Sequence, residues 1–205
     1  FGRAVAPRSG RGDRRRAGYR PEVGPANQGF PRRRGETVAR QPSFALATII
    51  ALQHYINAAQ GYLELGMAEE ALAELERVPG EERGHEDVAQ LRVFIFMRVR
   101  RWPEALTACE TLRADRPELP LGYIHGAFCL HELGRTAEAM ALLQEGPASL
   151  LREPVYFYNL GCYHAVLGNP EEAQSYLQMS FNLDEKFREI ARYDPDLEGV
   201  IGKLV

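Results

Sequence analysis

The sequence predicts an all-α solenoid of four helical hairpins closed by a C-terminal helix. Three observations carry that reading. A Glu-Ala pair recurs at Glu70-Ala71, Glu104-Ala105, Glu138-Ala139 and Glu172-Ala173, always 34 residues apart. Five residues before each Ala stand Gly66, Arg100, Gly134 and Gly168, and four residues after it stand Leu75, Cys109, Leu143 and Leu177. Twelve before it the side chain is small, at Ala59, Val93, Ala127 and Gly161, and sixteen before it mostly aromatic, at Tyr55, Ala89, Tyr123 and Phe157. A period of this length marks stacked two-helix units, none of which buries its apolar face alone.

Each column has a physical reason. The small residues let two helices approach where their axes cross. The Gly closing each first helix suits the left-handed conformation of a tight C-terminus. The Glu places negative charge in the first turn of the second helix, against its positive end. Residues 154–187 show the whole pattern: a first helix stopping at Gly168, Asn169 as the expected cap, Pro170 in the first turn, then Glu171 and Glu172. The units are 52–85, 86–119, 120–153 and 154–187. Pro117 stands where the second unit should stop, while Pro79 and Pro147 should stop theirs early.

Taken from its start, the chain opens on a different composition. Of 205 residues 45% are hydrophobic and 26% charged, as in an ordinary globular protein, but the net charge of −3 is unevenly spread. Residues 1–40 hold eleven Arg against Asp13, Glu22 and Glu36, a net of +8, and the remainder carries 14 basic and 25 acidic side chains, a net of −11. Residues 1–42 mix Gly, Pro and Arg without apolar periodicity and are expected to be disordered, either as a non-native or upstream tail or as a basic arm for nucleic acid. The chain starts with Phe1 rather than Met, so a preceding segment is expected. Residues 43–52, SFALATIIAL, faintly resemble a signal peptide, but cleavage after them would cut into the first unit. They are read as an extension of the first helix, capped by Ser43, with Leu46, Ile49 and Ile50 packing at helical spacing. After 187, a short helix through Ile190 and Ala191, ended by Asp194-Pro195-Asp196, is expected to cover the last hairpin, so residues 188–205 form a closing helix and tail.

The segments GYLELGMAEEALAEL (61–75), GAFCLHELGRTAEAMALL (126–143) and NLGCYHAVLGNPEEAQSYL (159–177) resemble tetratricopeptide repeats of the bacterial type. The resemblance covers about two-thirds of the chain, with Arg92 and Arg100 in place of an expected Leu and Gly. It implies a right-handed superhelix whose first helices line a concave groove that holds a peptide or an amphipathic helix of another protein. The groove candidates are Gln53, Ile56, Asn57 and Gln60 in the first unit, Gln90 and Phe94 in the second, Ile124, His125 and Phe128 in the third, and Tyr158, Asn159 and Cys162 in the fourth. None is Lys or Arg, which argues against the charge-assisted clamp that grips a C-terminal carboxylate. Phe94, Phe128 and Tyr158 are expected to form one aromatic stripe, unless they belong to the core between units.

Nothing points to an enzyme. There is no phosphate loop, HExxH or Ser–His–acid signature, and no cofactor is expected. His125, His131, Cys162 and His164 are the tempting metal constellation, but His125 and His131 lie six residues apart, about 120° around a helix, and no metal site is expected. Acid pairs such as Glu69-Glu70 and Glu171-Glu172 read as solvated helix-start charges, and Trp102, ahead of Pro103, as a hydrophobic staple or an exposed contact. Cys109, Cys129 and Cys162 are odd in number and lack a CxxC spacing, which suits a reducing, cytoplasmic location. No apolar run is long enough for a membrane span. The expected role is a protein-binding scaffold; the alternative is an accessory or regulatory domain of a longer enzyme or of a secretion or assembly factor. Nucleic-acid binding is not expected, because the folded part is acidic and repels phosphate.

Overall fold

In the computed structural model, which describes residues 44–200 and 202, four residues with positive φ set the rhythm of the chain. Gly66, Arg100, Gly134 and Gly168 have φ of 77°, 59°, 76° and 80°. Behind each of them an N–H reaches back across the turn: Met67 donates to the Tyr62 carbonyl, Arg101 to Phe96, Arg135 to Leu130 and Asn169 to His164, all at 2.9 Å. The last carbonyls of one helix are satisfied while the chain swings into the next. Arg100 adopts this conformation although its Cβ makes it costly.

These turns join α1 (Phe44–Glu64) to α2 (Ala68–Glu76), α3 (Glu86–Arg98) to α4 (Trp102–Asp115), α5 (Pro120–Glu132) to α6 (Thr136–Gln144), and α7 (Pro154–Val166) to α8 (Pro170–Leu183), with α9 (Lys186–Ala191) following. Among the described residues there is no strand, and the fold is an all-α solenoid of stacked hairpins. No described helix is long and apolar enough to cross a membrane. Residues 1–42 and Ser43, with the expectations attached to them, lie outside the described residues.

Glu70, Glu104, Glu138 and Glu172 all sit in the first turn of a second helix. Arg101 and Arg135 ion-pair with Glu104 and Glu138 at 2.8 and 2.6 Å, on the surface, where such pairs add little stability. The expected Asn169 side-chain cap does not form. Its φ of −111° and ψ of 73° are not the extended geometry from which a cap reaches the next N–H groups, and its amide instead faces His164 Nδ1 at 3.5 Å.

The small columns meet at the centre of each hairpin. Ala59, Ala71, Val93, Ala105, Ala127, Ala139 and Ala173 have no exposed surface. At Gly161 a Cβ would lie 2.7 Å from Leu177 Cγ and 3.3 Å from the Ala173 carbonyl, so the α7–α8 crossing requires its absence. The buried core falls into two clusters. One joins the first unit to Val88, Leu91 and Ile95 of α3, and the other runs from Ala105 of α4 to Val200.

The early stops take the predicted form. The helices α2 and α6 have nine residues each, against fourteen in α4 and α8. After α6 a 3-10 turn, Ala148–Arg152, buries Leu150. After α2, Arg83 instead donates to the Val78 and Glu76 carbonyls at 2.9 and 2.7 Å and closes the helix end. Two expectations fail. Ile49 and Ile50 are 63% and 59% exposed, because the 21-residue α1 outruns the nine-residue α2 that packs on it. Trp102 is the first residue of α4, too late for a staple, and meets Phe128 of the next unit edge-on, with ring centres 5.7 Å apart.

Arg100→Gly should raise unfolding stability by about 1 kcal/mol, since it removes a side chain from a left-handed position. Chemical denaturation checks this, and a loss of stability would mean that the Arg100 side chain outweighs its backbone strain.

Candidate functional site

Successive first helices α1, α3, α5 and α7 pack on one another, whereas second helices pack chiefly across to the first helices of their own and the following unit. The first helices therefore form one continuous face, here called the inner face. Their candidate residues divide into an open and a closed part.

The open part begins on α1, where Gln53, Asn57 and Gln60 are exposed on one face and Gln53 Nε2 donates to Asn57 Oδ1 at 2.8 Å. Ile56 turns inward and is 5% exposed. On α3, Gln90 donates to Glu86 at 2.8 Å, and half-buried Phe94 sets its ring edge-on against His125 of α5, centres 5.1 Å apart. Ile124 and His125 are buried, and Phe128 is half-buried against Trp102. Burial pushes the His125 imidazole down to about 4, so it is neutral at pH 7.

The fourth unit is closed. Tyr158, Asn159 and Cys162 are 1%, 4% and 5% exposed, and the chain after α9 lies over them. The Tyr158 hydroxyl donates to Asp194 Oδ2 at 2.7 Å, and the Cys162 thiol approaches the same oxygen at 3.7 Å. Asp194 Oδ1 accepts from the Asp196 N–H at 3.0 Å and caps the short turn Pro195–Leu197. Asp196 in turn meets His131 Nε2 at 2.9 Å, and His131 Nδ1 meets Thr136 Oγ1 at 3.0 Å. Phe187 packs on Tyr158 with ring centres 5.1 Å apart, and Leu197 and Val200 complete the cover. About 20 Å3 of space remains beside Tyr158, enough for a water and not for a side chain. Tyr158 thus leaves the expected aromatic stripe for the core: its phenol has a buried partner 36 residues further on.

Burial sets the protonation of the titratable groups here. Burial pushes the Tyr158, Tyr163 and Cys162 protons toward retention and His125 toward loss, so each is held neutral. An activated thiol or phenol needs the opposite of the shift that Tyr158, Tyr163 and Cys162 undergo. Among the described residues no group of three His, Cys, Asp or Glu side chains is placed to hold a metal ion. Of the tempting constellation, His164 stacks on Tyr176 at 5.2 Å while His131 is tied to Asp196. Cys109, Cys129 and Cys162 are buried free thiols. Sequence reasoning placed a cover on the last hairpin but missed Asp194 and Asp196 as the groups that anchor it, since neither belongs to the repeat.

Tyr158→Phe should cost about 1–3 kcal/mol, because it takes the phenol donor from Oδ2 of the buried Asp194 carboxylate. Denaturation of both proteins, with limited proteolysis after residue 192, measures the effect. Equal stability and an uncut tail would show that the cover rests on apolar contacts alone.

A family model described as Tetratricopeptide repeat matches residues 52–77 and 124–145. No curated protein matches the chain in sequence. Among solved structures, PilF of Pseudomonas aeruginosa is similar at a TM-score of 0.63 and 21% identity, covering 77% of this chain and 71% of its own. MamA from residue 41 onward, of Desulfovibrio magneticus RS-1, gives a TM-score of 0.59 at 18% identity over 69% of this chain and 80% of that one. YrrB, described as a TPR protein with an unusual peptide-binding site, gives 0.55 at 17% over 77% and 89%. These likenesses show the shared helical solenoid fold. The chain thus carries tetratricopeptide repeats at residues 52–77 and 124–145, within hairpins whose left-handed turns recur every 34 residues.

Proposed function

We propose that this array is a non-catalytic, cytoplasmic protein-interaction scaffold that holds an apolar or amphipathic helical segment of another protein along α1, α3 and α5. The observation that carries the reading is the open part of the inner face. Exposed amides at Gln53, Asn57 and Gln60 lead to the half-buried rings of Phe94 and Phe128. Amide edges with aromatic anchors suit a helix laid into a groove. The groove candidates include no Lys or Arg, and buried His125 is neutral, so a terminal carboxylate would find no charged donor there. The tail over Tyr158 stops the groove at the fourth unit, leaving three units for the partner. The fold it shares with YrrB, described as a TPR protein with a peptide-binding site, supports the same class of partner.

Selection of displayed amphipathic helices on the full chain supplies a ligand for the test. Phe128→Ala should weaken that ligand by about 1–2 kcal/mol, tenfold or more, with an unchanged melting curve. If the substitution instead costs about 3–5 kcal/mol of stability, or leaves binding intact, the inner face is core rather than groove.

A further inference from the structure

A cavity of about 690 Å3 opens in the second unit, between α3, α4 and the loop that follows α2. Its floor is Ala89 and Phe96 of α3 with Ala108 and Leu112 of α4, and it shares no residue with the inner-face candidates. Its volume lies within the range of ligand sites, about 300–1,000 Å3. It also falls where the buried core divides, between the cluster that ends on α3 and the one that starts on α4.

The repeat shows what is missing. Ala89 occupies the column that carries Tyr55, Tyr123 and Phe157 in the other three units. Ala108 occupies the column that carries Leu142 in the third unit and Tyr176 in the fourth. In the third unit that space is filled: the Tyr123 ring would lie 3.2 Å from a Cβ on Gly146, the counterpart of Leu112, and the Arg113 guanidinium covers the ring at 5.6 Å. Buried Leu150, the counterpart of Arg116, closes the space. In the second unit Arg92 replaces the small Gly126 but does not fill the gap, because its guanidinium pairs with Glu76 at 3.1 Å.

We propose that this cavity is a second binding site, which takes an aromatic side chain presented by a segment of a partner protein in the place where the sister units use their own ring. The charge of the walls favours a neutral group. Arg83, Arg92 and Arg116 balance Glu76, Glu104 and Asp115 around the lining. Arg83 is engaged with carbonyls, and Glu104 with Arg101 at 2.8 Å. Guanidinium walls also favour a ring over an aliphatic group, through its electron-rich face. The space exceeds that of one ring, which leaves room for the residues on either side of it.

The test uses the isotope-labelled full chain and two capped pentapeptides, Gly-Gly-Tyr-Gly-Gly and Gly-Gly-Leu-Gly-Gly, with N-acetyltyrosinamide as the free ring. The tyrosine peptide should shift the amides of Ala89, Phe96, Ala108 and Leu112 and leave those of Gln53, Asn57 and Gln60 in place. The leucine peptide should bind tenfold more weakly or worse. Ala108→Leu, which restores the leucine of the third unit, should abolish binding and melt no lower than the parent; Ala89→Tyr, whose ring shares space with Leu112 where the third unit has Gly146, is the second blocking variant and is read by binding alone. Absent shifts, equal binding of the leucine peptide, or binding that survives both substitutions would overturn the proposal. So would N-acetyltyrosinamide binding as tightly as the peptide, which assigns the site to a free aromatic compound. Shifts that grow with protein concentration alone would assign it to a second copy and equally overturn it. The inner face is read by Phe128, so the two sites fail independently.

Discussion

Pairs of helices cross with room for no more than a small side chain between them, and the rest of the solenoid is arranged around that approach. At Gly161 the limit is one carbon atom, because Leu177 and the Ala173 carbonyl already occupy the space a Cβ would need. The same columns in the other units hold Ala or Val with no exposed surface. A crossing this close has a narrow range of angles, so the connecting turn has to be equally defined. The left-handed residue supplies that definition, and its cost is accepted even at Arg100. The 34-residue spacing keeps each small residue at its crossing although the second helices run to nine or fourteen residues.

Within that frame, the features a partner would meet come from departures. Where Pro79 and Pro147 shorten the second helices, the chain has to finish the hairpin by other means, with Leu150 in one unit and Arg83 in the other. The space that Leu150 closes in the third unit stays open in the second, where its counterpart is Arg116 and Ala89 and Ala108 replace larger side chains. At the other end the tail turns back onto the inner face and satisfies a buried phenol. The open part of the inner face is thereby shortened by the chain itself. Open surface and packed surface are one continuous set of helix faces here, divided by what covers them.

How far the sequence was legible depends on whether a feature repeats. The turn at Arg100 could be read although arginine is a poor choice for it, because three glycines at the same phase predict its conformation. The short α2 and α6 could be read from prolines. Tyr158 could not be placed by the same means. It shares the inner-face register of Phe94 and Phe128, and what distinguishes it is an aspartate outside every repeat. Ile49 and Ile50 had the right spacing for packing, but spacing does not reveal that α2 stops too soon to meet them. Asn169 has the right chemistry for a cap and the wrong backbone, which a left-handed neighbour imposes. The cavity was present in the column Tyr55, Ala89, Tyr123, Phe157, but only the packing of Tyr123 gave that gap a shape.

The most direct test of the crossing compares two glycine-to-alanine substitutions in otherwise similar helices. Gly61 lies in α1 with nothing within 4 Å of its Cβ position, whereas Gly161 lies at the α7–α8 crossing. Helix propensity alone favours alanine at both by about 0.5–1 kcal/mol. Unfolding midpoints should therefore rise for Gly61→Ala and fall for Gly161→Ala, the latter by an overpacking cost of about 1–3 kcal/mol less that gain. A rise in both would contradict the account, because it would mean that the helices have room to spare where they cross.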